Sequence, residues 1–146
     1  MLALCDVSYL ASLCYQHHRH HAIAIKWLER HDAARSFAIC RVSQLGLLRL
    51  LGTRSVMNED TLSAYDAWRI YDQLIHDDRF VFISEPINLD KTFRYLTSRH
   101  TPITSLWSDA YLAAFAITSE NQFLTFDKGF RQFPDLDLVL LEDEIK

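Results

Sequence analysis

The sequence predicts an α/β domain built on a mostly parallel sheet with helices on its faces. Two observations support this prediction. Short apolar runs recur along the chain, and segments with apolar residues three or four positions apart separate them. The length of 146 residues, with no internal repeat, low-complexity segment or linker, suits a single domain over residues 1–146.

The first half of the chain alternates between these two patterns. Residues 2–5 form an apolar run that suits a buried strand, and helical spacing follows at once over residues 7–13. The polar segment 16–21 predicts a turn, after which residues 22–28 return to helical spacing. A second strand is predicted at residues 36–40.

The boundaries of the next two helices depend on single residues. Ser43 is a suitable N-cap for the leucine-rich helix after the second strand, and Gly52 is expected to end that helix. Thr61 is expected to open a longer helix that runs to Ile75.

The remaining part of the chain continues the alternation. Helices are predicted at residues 89–96 and within residues 105–118, where the apolar positions are dense. Three further apolar runs predict strands, at residues 80–83, 123–126 and 137–141.

Composition excludes several classes of protein. With 49% hydrophobic residues, 3 Gly and 3 Pro, the chain is expected to form a globular core. No apolar run approaches the roughly 20 residues that span a bilayer, and Asp6 interrupts the N-terminal run, so we expect a cytoplasmic protein without signal peptide. Cys5, Cys14 and Cys40 lack CxxC spacing and are expected to be free thiols. The net charge of −4 neither implies nor excludes binding to nucleic acid.

Three aspartates stand where open α/β sheets bind their ligands, beyond the carboxyl ends of the strands. Asp6 directly follows the first predicted strand, Asp127 directly follows the fourth, and Asp109 lies at the start of an apolar helix. Each has a structural interpretation as well, since aspartate also forms turns, caps helices and favours the first helical turn. The predicted topology allows all three to meet at one edge of the sheet.

Three convergent carboxylates repel one another, and a hard divalent cation offsets that repulsion. Mg²⁺ takes oxygen ligands and keeps several waters, which leaves room for a phosphate oxygen. Such an ion lowers the pKa of water and orients it for attack on phosphorus, so the reaction needs no nucleophilic side chain. The pattern therefore favours hydrolysis of a phosphodiester with Mg²⁺ as cofactor and Mn²⁺ as a substitute.

Five segments, in the family's order, resemble PIN domains, and in particular the VapC toxins of bacterial VapBC toxin–antitoxin pairs. Together they cover essentially the whole chain, at residues 4–10 (LCDVSYL), 18–28, 43–51 (SQLGLLRLL), 107–114 (WSDAYLAA) and 124–130 (LTFDKGF). The resemblance implies a PIN-like three-layer fold, with a parallel sheet of four to five strands between helices. It also implies a homodimer that cleaves RNA such as tRNA or rRNA and is inhibited by a VapB-like antitoxin.

The resemblance also assigns roles to single residues. Asp6, Asp109 and Asp127 would hold Mg²⁺, and Gln44 would complete the catalytic set as a neutral ligand or hydrogen-bond donor. Thr125 would orient Asp127 or a water. Attack by water would leave 5′-phosphate and 3′-hydroxyl ends.

Two residues depart from the family's pattern. Gln44 stands where the family usually has Glu, and because an amide carries no charge we expect weaker metal binding. Ser8 stands where Asn is common, and its hydroxyl can still hydrogen-bond a carboxylate or water.

Several cations lie near the motif segments. Lys128, Arg131 and Arg49 are predicted to contact RNA phosphates, which would make RNA binding depend on salt. The alternative for each is a surface cation without this role, and Arg49 equally suits a structural ion pair or hydrogen bond.

Two clusters have more than one interpretation. The predicted turn contains four histidines, namely His17, His18, His20 and His21. On a helix, His18 and His21 would share a face and could reach one metal ion. Because a zinc site needs further ligands, we prefer to interpret the cluster as a helix entry or a dimer surface. Tyr65, Trp68 and Tyr71 predict a helix face packed in the core or in a dimer, with stacking on unpaired RNA bases as the alternative.

Three functions compete at this point. The first is an active metal-dependent ribonuclease. The second is a PIN-like module that binds RNA or antitoxin with weakened metal binding, which Gln44 favours. The third is an aspartyl-phosphate phosphatase, which would need a second acid two residues after Asp6, where Ser8 stands.

Overall fold

Five short strands form one sheet through the centre of the domain. The computed structural model describes residues 1–99 and 101–142. Its strands are Ala3–Cys5 (β1), Phe37–Ile39 (β2), Phe80–Phe82 (β3), Gln122–Thr125 (β4) and Leu138–Leu140 (β5). Their order is β3-β2-β1-β4-β5, and every neighbouring pair is parallel. All the strands therefore end at the same side of the sheet, which we call the carboxyl edge.

Helices connect the strands and cover both faces of the sheet. In chain order they are Val7–Cys14 (α1), His21–Arg30 (α2), Arg41–Leu51 (α3), Arg54–Met57 (α4), Ala64–His76 (α5), Leu89–Leu96 (α6) and Trp107–Thr118 (α7). Two short 3₁₀ turns, Asn58–Asp60 and Lys128–Gln132, were not predicted from the sequence. Among the described residues, no helix is both long and apolar enough to cross a bilayer.

Each face of the sheet buries its own core, because alternate strand residues point to opposite sides. Cys5 and Ile39 belong to the core shared with α1, α2, α3 and α5. Leu4 and Ala38, from the same two strands, belong to the core shared with α6 and α7. The three-layer α/β prediction is confirmed, and the sheet is entirely parallel.

Two predicted helix starts are wrong. Ser43 lies inside α3, whose N-cap is Cys40, and its hydroxyl accepts the backbone N–H of Cys40 at 3.1 Å from the first turn. Thr61 precedes α5 rather than opening it, because Ser63 is the N-cap and its hydroxyl accepts the backbone N–H of Asp66 at 3.1 Å. Both segments contain more than one residue able to cap, and the local pattern does not choose between them.

The aromatic side chains of α5 do not share one buried face. Tyr71 is 6% exposed and packs in the core, whereas Tyr65 is 74% exposed and Trp68 is 46% exposed. The core-facing stripe of this helix contains Ala67, Tyr71 and Leu74, which are three or four residues apart. The core interpretation is therefore confirmed for Tyr71 and wrong for Tyr65 and Trp68.

Gly46 of α3 lies in close contact with Val7 of α1. An ideal Cβ on Gly46 would lie under 3.0 Å from Cγ2 of Val7, and 3.3 Å from both its Cβ and its Cγ1. A side chain at this position would therefore push the two helices apart. Because Gly46 has no side chain, the start of α1, directly after Asp6, can pack closely against the helix that carries Gln44.

All three cysteines are free thiols, as predicted. Cys5 and Cys40 are buried and Cys14 is half-buried. Burial raises the pKa of Cys14 to about 12 and raises the pKa of Cys5 as well. These thiols therefore pack as small apolar groups and are poor nucleophiles.

Candidate active site

Asp6 lies directly after β1, at the centre of the carboxyl edge. Its Oδ1 accepts the backbone N–H of Val7 at 2.8 Å, so this residue also caps α1. Its own backbone N–H donates to the carbonyl of Leu124 at 2.9 Å, which ties it to β4. The side chain is buried, with 7% of the residue exposed. The structural role and the predicted site position therefore coincide in one residue.

Two hydroxyl groups hold the second oxygen of Asp6. Oγ1 of Thr125 donates to Oδ2 at 2.6 Å, and Oγ of Ser8 donates to the same atom at 2.9 Å. The hydroxyl oxygen of Thr125 accepts the backbone N–H of Asp127 at 2.9 Å, and that of Ser8 accepts the backbone N–H of Phe126 at 3.0 Å. Each hydroxyl has only one proton, so both are committed to Asp6. Thr125 thus positions the Asp6 carboxylate and the Asp127 backbone together.

Asp127 begins the 3₁₀ turn that follows β4. Its Oδ1 accepts the backbone N–H of Gly129 at 2.8 Å, and an ideal Cβ on Gly129 would lie 3.1 Å from that oxygen. Glycine therefore lets the carboxylate fold onto the turn. Because β4 ends at Thr125, Phe126 separates the strand from Asp127, so the predicted strand end is one residue too late.

Asp109 lies in the first turn of α7, half-buried, and accepts no hydrogen bond from the described part of the chain. Burial raises the pKa of Asp109, and the charges of Asp127 and Asp6 raise it further. Burial also raises the pKa of Asp6, hydrogen bonds from Thr125 and Ser8 oppose this rise, and the charge of Asp127 adds to it. The structure thus brings the three predicted aspartates into one electrostatic environment.

The carboxylate oxygens of the three aspartates are the type of ligand that a hard cation prefers. Both oxygens of Asp109 and one oxygen of Asp127 accept no hydrogen bond within the described residues, and Oδ1 of Asp6 accepts only one. Mg²⁺ prefers such anionic oxygens, and mutual repulsion is what a cation relieves. Within residues 1–99 and 101–142, however, no three His, Cys, Asp or Glu side chains lie close enough to form a ready-made metal site. Mg²⁺ binding at the aspartates stays a prediction.

Gln44 makes its described hydrogen bonds with Arg41 and Tyr71. It is buried in the first turns of α3, and its Oε1 accepts Nη1 of Arg41 at 2.6 Å. Burial raises the pKa of Tyr71, and the Gln44 amide, acting as a hydrogen-bond donor, lowers it. No hydrogen bond joins Gln44 to any of the three aspartates among the described residues. Its predicted role as a neutral metal ligand or hydrogen-bond donor stays a prediction.

Arg41 was not predicted from the sequence as a site residue. It is the first residue of α3, it is exposed, and its guanidinium lies 4.9 Å from the ring centroid of Phe82. A usable signal was present, because Arg41 is a polar residue directly after the predicted strand 36–40. The same position relative to a strand singled out Asp6.

The predicted phosphate contacts lie in different places. Lys128 is exposed in the turn after Asp127, with no ion pair in the part of the chain that the structure describes. Arg131 lies in the same turn and pairs with Glu142 at 2.9 Å. Arg49 lies in the last turn of α3, about 12 Å along the helix from its first residue at 1.5 Å per residue. The structure therefore does not bring Arg49 to the carboxyl edge.

The histidine cluster contacts α1 and Phe126, the residue that precedes Asp127. The ring of His20 stacks on Phe126 with centroids 4.3 Å apart. Nδ1 of His21 lies 2.8 Å from the carbonyl oxygen of Ser12, to which it donates, and Nδ1 of His18 accepts the backbone N–H of His20 at 3.1 Å. Burial lowers the pKa of His18, which favours its neutral form. These contacts support the interpretation as a helix entry.

The fold and the aspartates at the carboxyl edge define a domain of the PIN type. The PIN domain family model matches residues 3–136. The chain belongs to the PIN-domain family. It is 35% identical over 144 residues to Ribonuclease VapC41 from two strains of Mycobacterium tuberculosis, covering 96% of this chain and 99% of that protein.

Solved structures share the fold over nearly the whole chain. VapBC2 from Rickettsia felis, bound to a DNA fragment from its promoter, matches with a TM-score of 0.72 and 14% identity over 96% of this chain and 98% of that one. VapC20 from Mycobacterium tuberculosis, a sarcin–ricin loop cleaving toxin, matches with a TM-score of 0.63 and 16% identity, covering 92% and 97%. DNA-bound VapBC from Salmonella typhimurium matches with a TM-score of 0.65 and 13% identity, covering 95% and 98%. At these identities the likeness shows the fold alone.

Proposed function

We propose that this chain is the ribonuclease toxin of a type II, VapBC-like toxin–antitoxin system, a Mg²⁺-dependent endoribonuclease that acts in the cytoplasm. One observation carries the proposal: in a PIN domain, Asp6 caps the helix after β1, Asp127 caps the turn after β4, and Asp109 lies in the first turn of α7, where burial and then the charges of Asp127 and Asp6 raise its pKa. The 35% identity to Ribonuclease VapC41 supports RNA as the substrate. Fold neighbours that are toxin–antitoxin complexes support a VapB-like antitoxin as partner, and the homodimer stays a prediction.

The chain's own residues would divide the work as follows. Asp6, Asp109 and Asp127 would hold Mg²⁺, with Mn²⁺ as a substitute. When bound, the ion supplies positive charge that lowers the pKa of water and offsets the charge that develops on the phosphate. Thr125 and Ser8 favour the charged form of Asp6, because their hydroxyls donate to its carboxylate and oppose the effect of burial.

The RNA substrate would contact this edge of the sheet through its phosphate backbone. Lys128 follows Asp127 directly and would contact an RNA phosphate, so we expect binding to weaken as salt rises. Arg131 would first have to leave Glu142, and since both side chains are more than half exposed, that ion pair is weak. The fold is shared with VapC20, a toxin that cleaves the sarcin–ricin loop, so ribosomal RNA is one substrate to test, beside tRNA.

A second candidate function is a binding module with weakened metal affinity and little nuclease activity. Gln44 favours this alternative, because it is neutral and because Arg41 engages its amide oxygen. The phosphatase alternative has no support in the site, since the Ser8 hydroxyl donates to Asp6 and supplies no second acid.

The test is cleavage of total tRNA and of ribosomes by the purified chain, freed of antitoxin, in Mg²⁺, Mn²⁺ or EDTA. We expect discrete cuts in either metal and none in EDTA, with 5′-phosphate and 3′-hydroxyl ends because water is the nucleophile. Asp109→Asn is expected to abolish the cuts. Asp90→Asn is the matched control, since Asp90 also lies in the first turn of a helix but is exposed and pairs with Arg94.

Gln44→Glu separates the two candidate functions. If the natural chain cuts no RNA while the Gln44→Glu variant cuts RNA in Mg²⁺, the natural protein is the binding module. If both proteins are folded and neither cuts any RNA in the set, the nuclease proposal is refuted.

A further inference from the structure

A second cleft opens beside the aspartates, at the β3 side of the carboxyl edge. It has a volume of about 460 Å³, and the side chains used below, Arg41, Phe82, Glu85 and Tyr111, lie in its lining. Because β2 alone separates β3 from β1, the cleft lies about 10 Å from Asp6 along the edge, at two strand spacings. None of the roles assigned above uses this space.

One wall of the cleft is a stacking platform. The ring of Phe82 is on the sheet's outer strand, and the residue is 38% exposed. The Arg41 guanidinium lies 4.9 Å from the centroid of that ring, and its Nη1 is fixed by the bond to Gln44 at 2.6 Å. Unpaired bases stack on aromatic rings and on guanidinium planes, and a guanidinium also attracts phosphate. An aromatic ring and an orientated cation therefore suit a nucleotide better than an apolar ligand.

The opposite wall presents a hydrogen-bond acceptor. Oε1 of Glu85 accepts the hydroxyl of Tyr111 at 2.7 Å, and the Tyr111 ring packs edge-on against Phe93 with centroids 5.7 Å apart. These contacts hold one carboxylate oxygen, and the second accepts no hydrogen bond from the described residues. An ionised carboxylate only accepts hydrogen bonds, so it pairs with an amino group of a base. Adenine, cytosine and guanine carry an exocyclic amino group at the edge of the base, whereas the only base donor of uracil is its ring N3–H, which lies between two carbonyls that a carboxylate repels.

We propose that this cleft binds an unpaired nucleotide that neighbours the scissile phosphate, and that it selects a base with an exocyclic amino group over uracil. The inference rests on the proposed function, which makes RNA the ligand, and deepens it by assigning a base preference. Because the Arg41 guanidinium lies only 4.9 Å from the Phe82 ring centroid, the base stacks on the outer surface of this pair and not between its members. Arg41 also faces the adjoining phosphate, and Glu85 accepts the amino group. These are specificity residues, because the aspartates lie two strands away.

Binding is measured first, in EDTA, so that the result does not depend on cleavage. Short single-stranded oligoribonucleotides that differ in one base are titrated with the full chain by fluorescence anisotropy. We expect Phe82→Leu to weaken binding roughly tenfold, while Phe82→Tyr keeps the ring and retains the affinity. Tyr95→Leu is the matched control, because Tyr95 is 73% exposed on α6 and does not line the cleft.

Base preference is measured next, by sequencing the cut ends of a randomised single-stranded RNA pool in Mg²⁺. The natural chain is expected to disfavour uracil roughly tenfold at one position beside the cut, as the loss of a hydrogen bond to a charged group predicts. Glu85→Gln is expected to remove that bias, since an amide also donates and can pair with a uracil carbonyl.

Two results would overturn the inference. One is unchanged affinity in Phe82→Leu together with an unchanged base profile in Glu85→Gln. The other is a Phe82→Leu defect confined to binding of a VapB-like antitoxin, which would make the cleft a protein-docking surface. If the folded natural chain cuts no RNA at all, the proposed function fails, and the affinities in EDTA still decide whether the cleft binds a nucleotide.

Discussion

Replacing Gly46 by alanine tests the close packing of α1 on α3. The new methyl group would lie under 3.0 Å from Cγ2 of Val7, where non-bonded carbons rest at about 3.5–4.0 Å. Rotating the Val7 side chain gives little relief, because its Cβ and Cγ1 also lie 3.3 Å away and a β-branched residue in a helix has one preferred rotamer. The two helices must therefore move apart by about half an ångström or more.

The expected magnitude follows from two opposing effects. Overpacking costs about 1–3 kcal/mol, and we expect the upper end because backbone has to move. Alanine is better than glycine inside a helix by about 1 kcal/mol. The free energy of unfolding of Gly46→Ala is therefore expected to fall by about 2 kcal/mol, which lowers the melting temperature by about 4–8 °C.

Urea unfolding of a double-mutant cycle checks this account. Val7→Ala removes both γ carbons, so in that background Gly46→Ala is expected to stabilise the fold by up to about 1 kcal/mol. Gly52→Ala is the control, since its nearest neighbour atom is 3.6 Å from the added Cβ and its φ of −100° suits alanine. A steric clash with Val7 is refuted if Gly46→Ala destabilises the Val7→Ala protein as much as it destabilises the natural one.

Further predictions concern the aspartates. In EDTA, Asp109→Asn is expected to stabilise the fold at neutral pH, because folding raises the pKa of Asp109 and so disfavours its charged form. Urea unfolding at a series of pH values should show that this gain in stability vanishes as the pH falls below the ordinary pKa of 3.8. Thr125→Val removes a donor to Asp6, so NMR titration of the metal-free protein should show a higher Asp6 pKa, whereas Thr125→Ser should not. Gly129→Ala places a Cβ 3.1 Å from Oδ1 of Asp127, and RNA cleavage is expected to fall several-fold while the melting temperature stays within a few degrees; an unchanged rate would contradict this account.

The strands and the three aspartates could be predicted because their signal is local. An apolar run followed by aspartate predicts both a buried strand and a polar residue at its end, as for β1 and Asp6. The hydroxyls that hold Asp6 could not be paired in the same way. Ser8 and Thr125 are 117 residues apart, and they meet only because β4 lies beside β1. Strand order is a property of the whole fold, so the sequence pattern of either segment does not reveal it.

The direction of a buried side chain was equally inaccessible. The motif predicted a site role for Gln44 but not the bond that its amide oxygen accepts from Arg41, three residues earlier on the same helix. That bond depends on Tyr71 from α5 and on the ring of Phe82 from β3, which complete the surroundings of the two side chains. These contacts come from three separate segments, so sequence spacing alone could not predict them.

The placement of β4 against β1 also has a consequence for the protein during its own synthesis. Asp6 is made early, but one partner of its carboxylate, Thr125, and the backbone of Asp127 arrive more than a hundred residues later. Until residues 122–129 leave the ribosome and β4 joins the central strand, the nascent chain lacks Asp127 and one of the two hydroxyls that hold Asp6. A site that needs all three aspartates is therefore completed only near the end of synthesis.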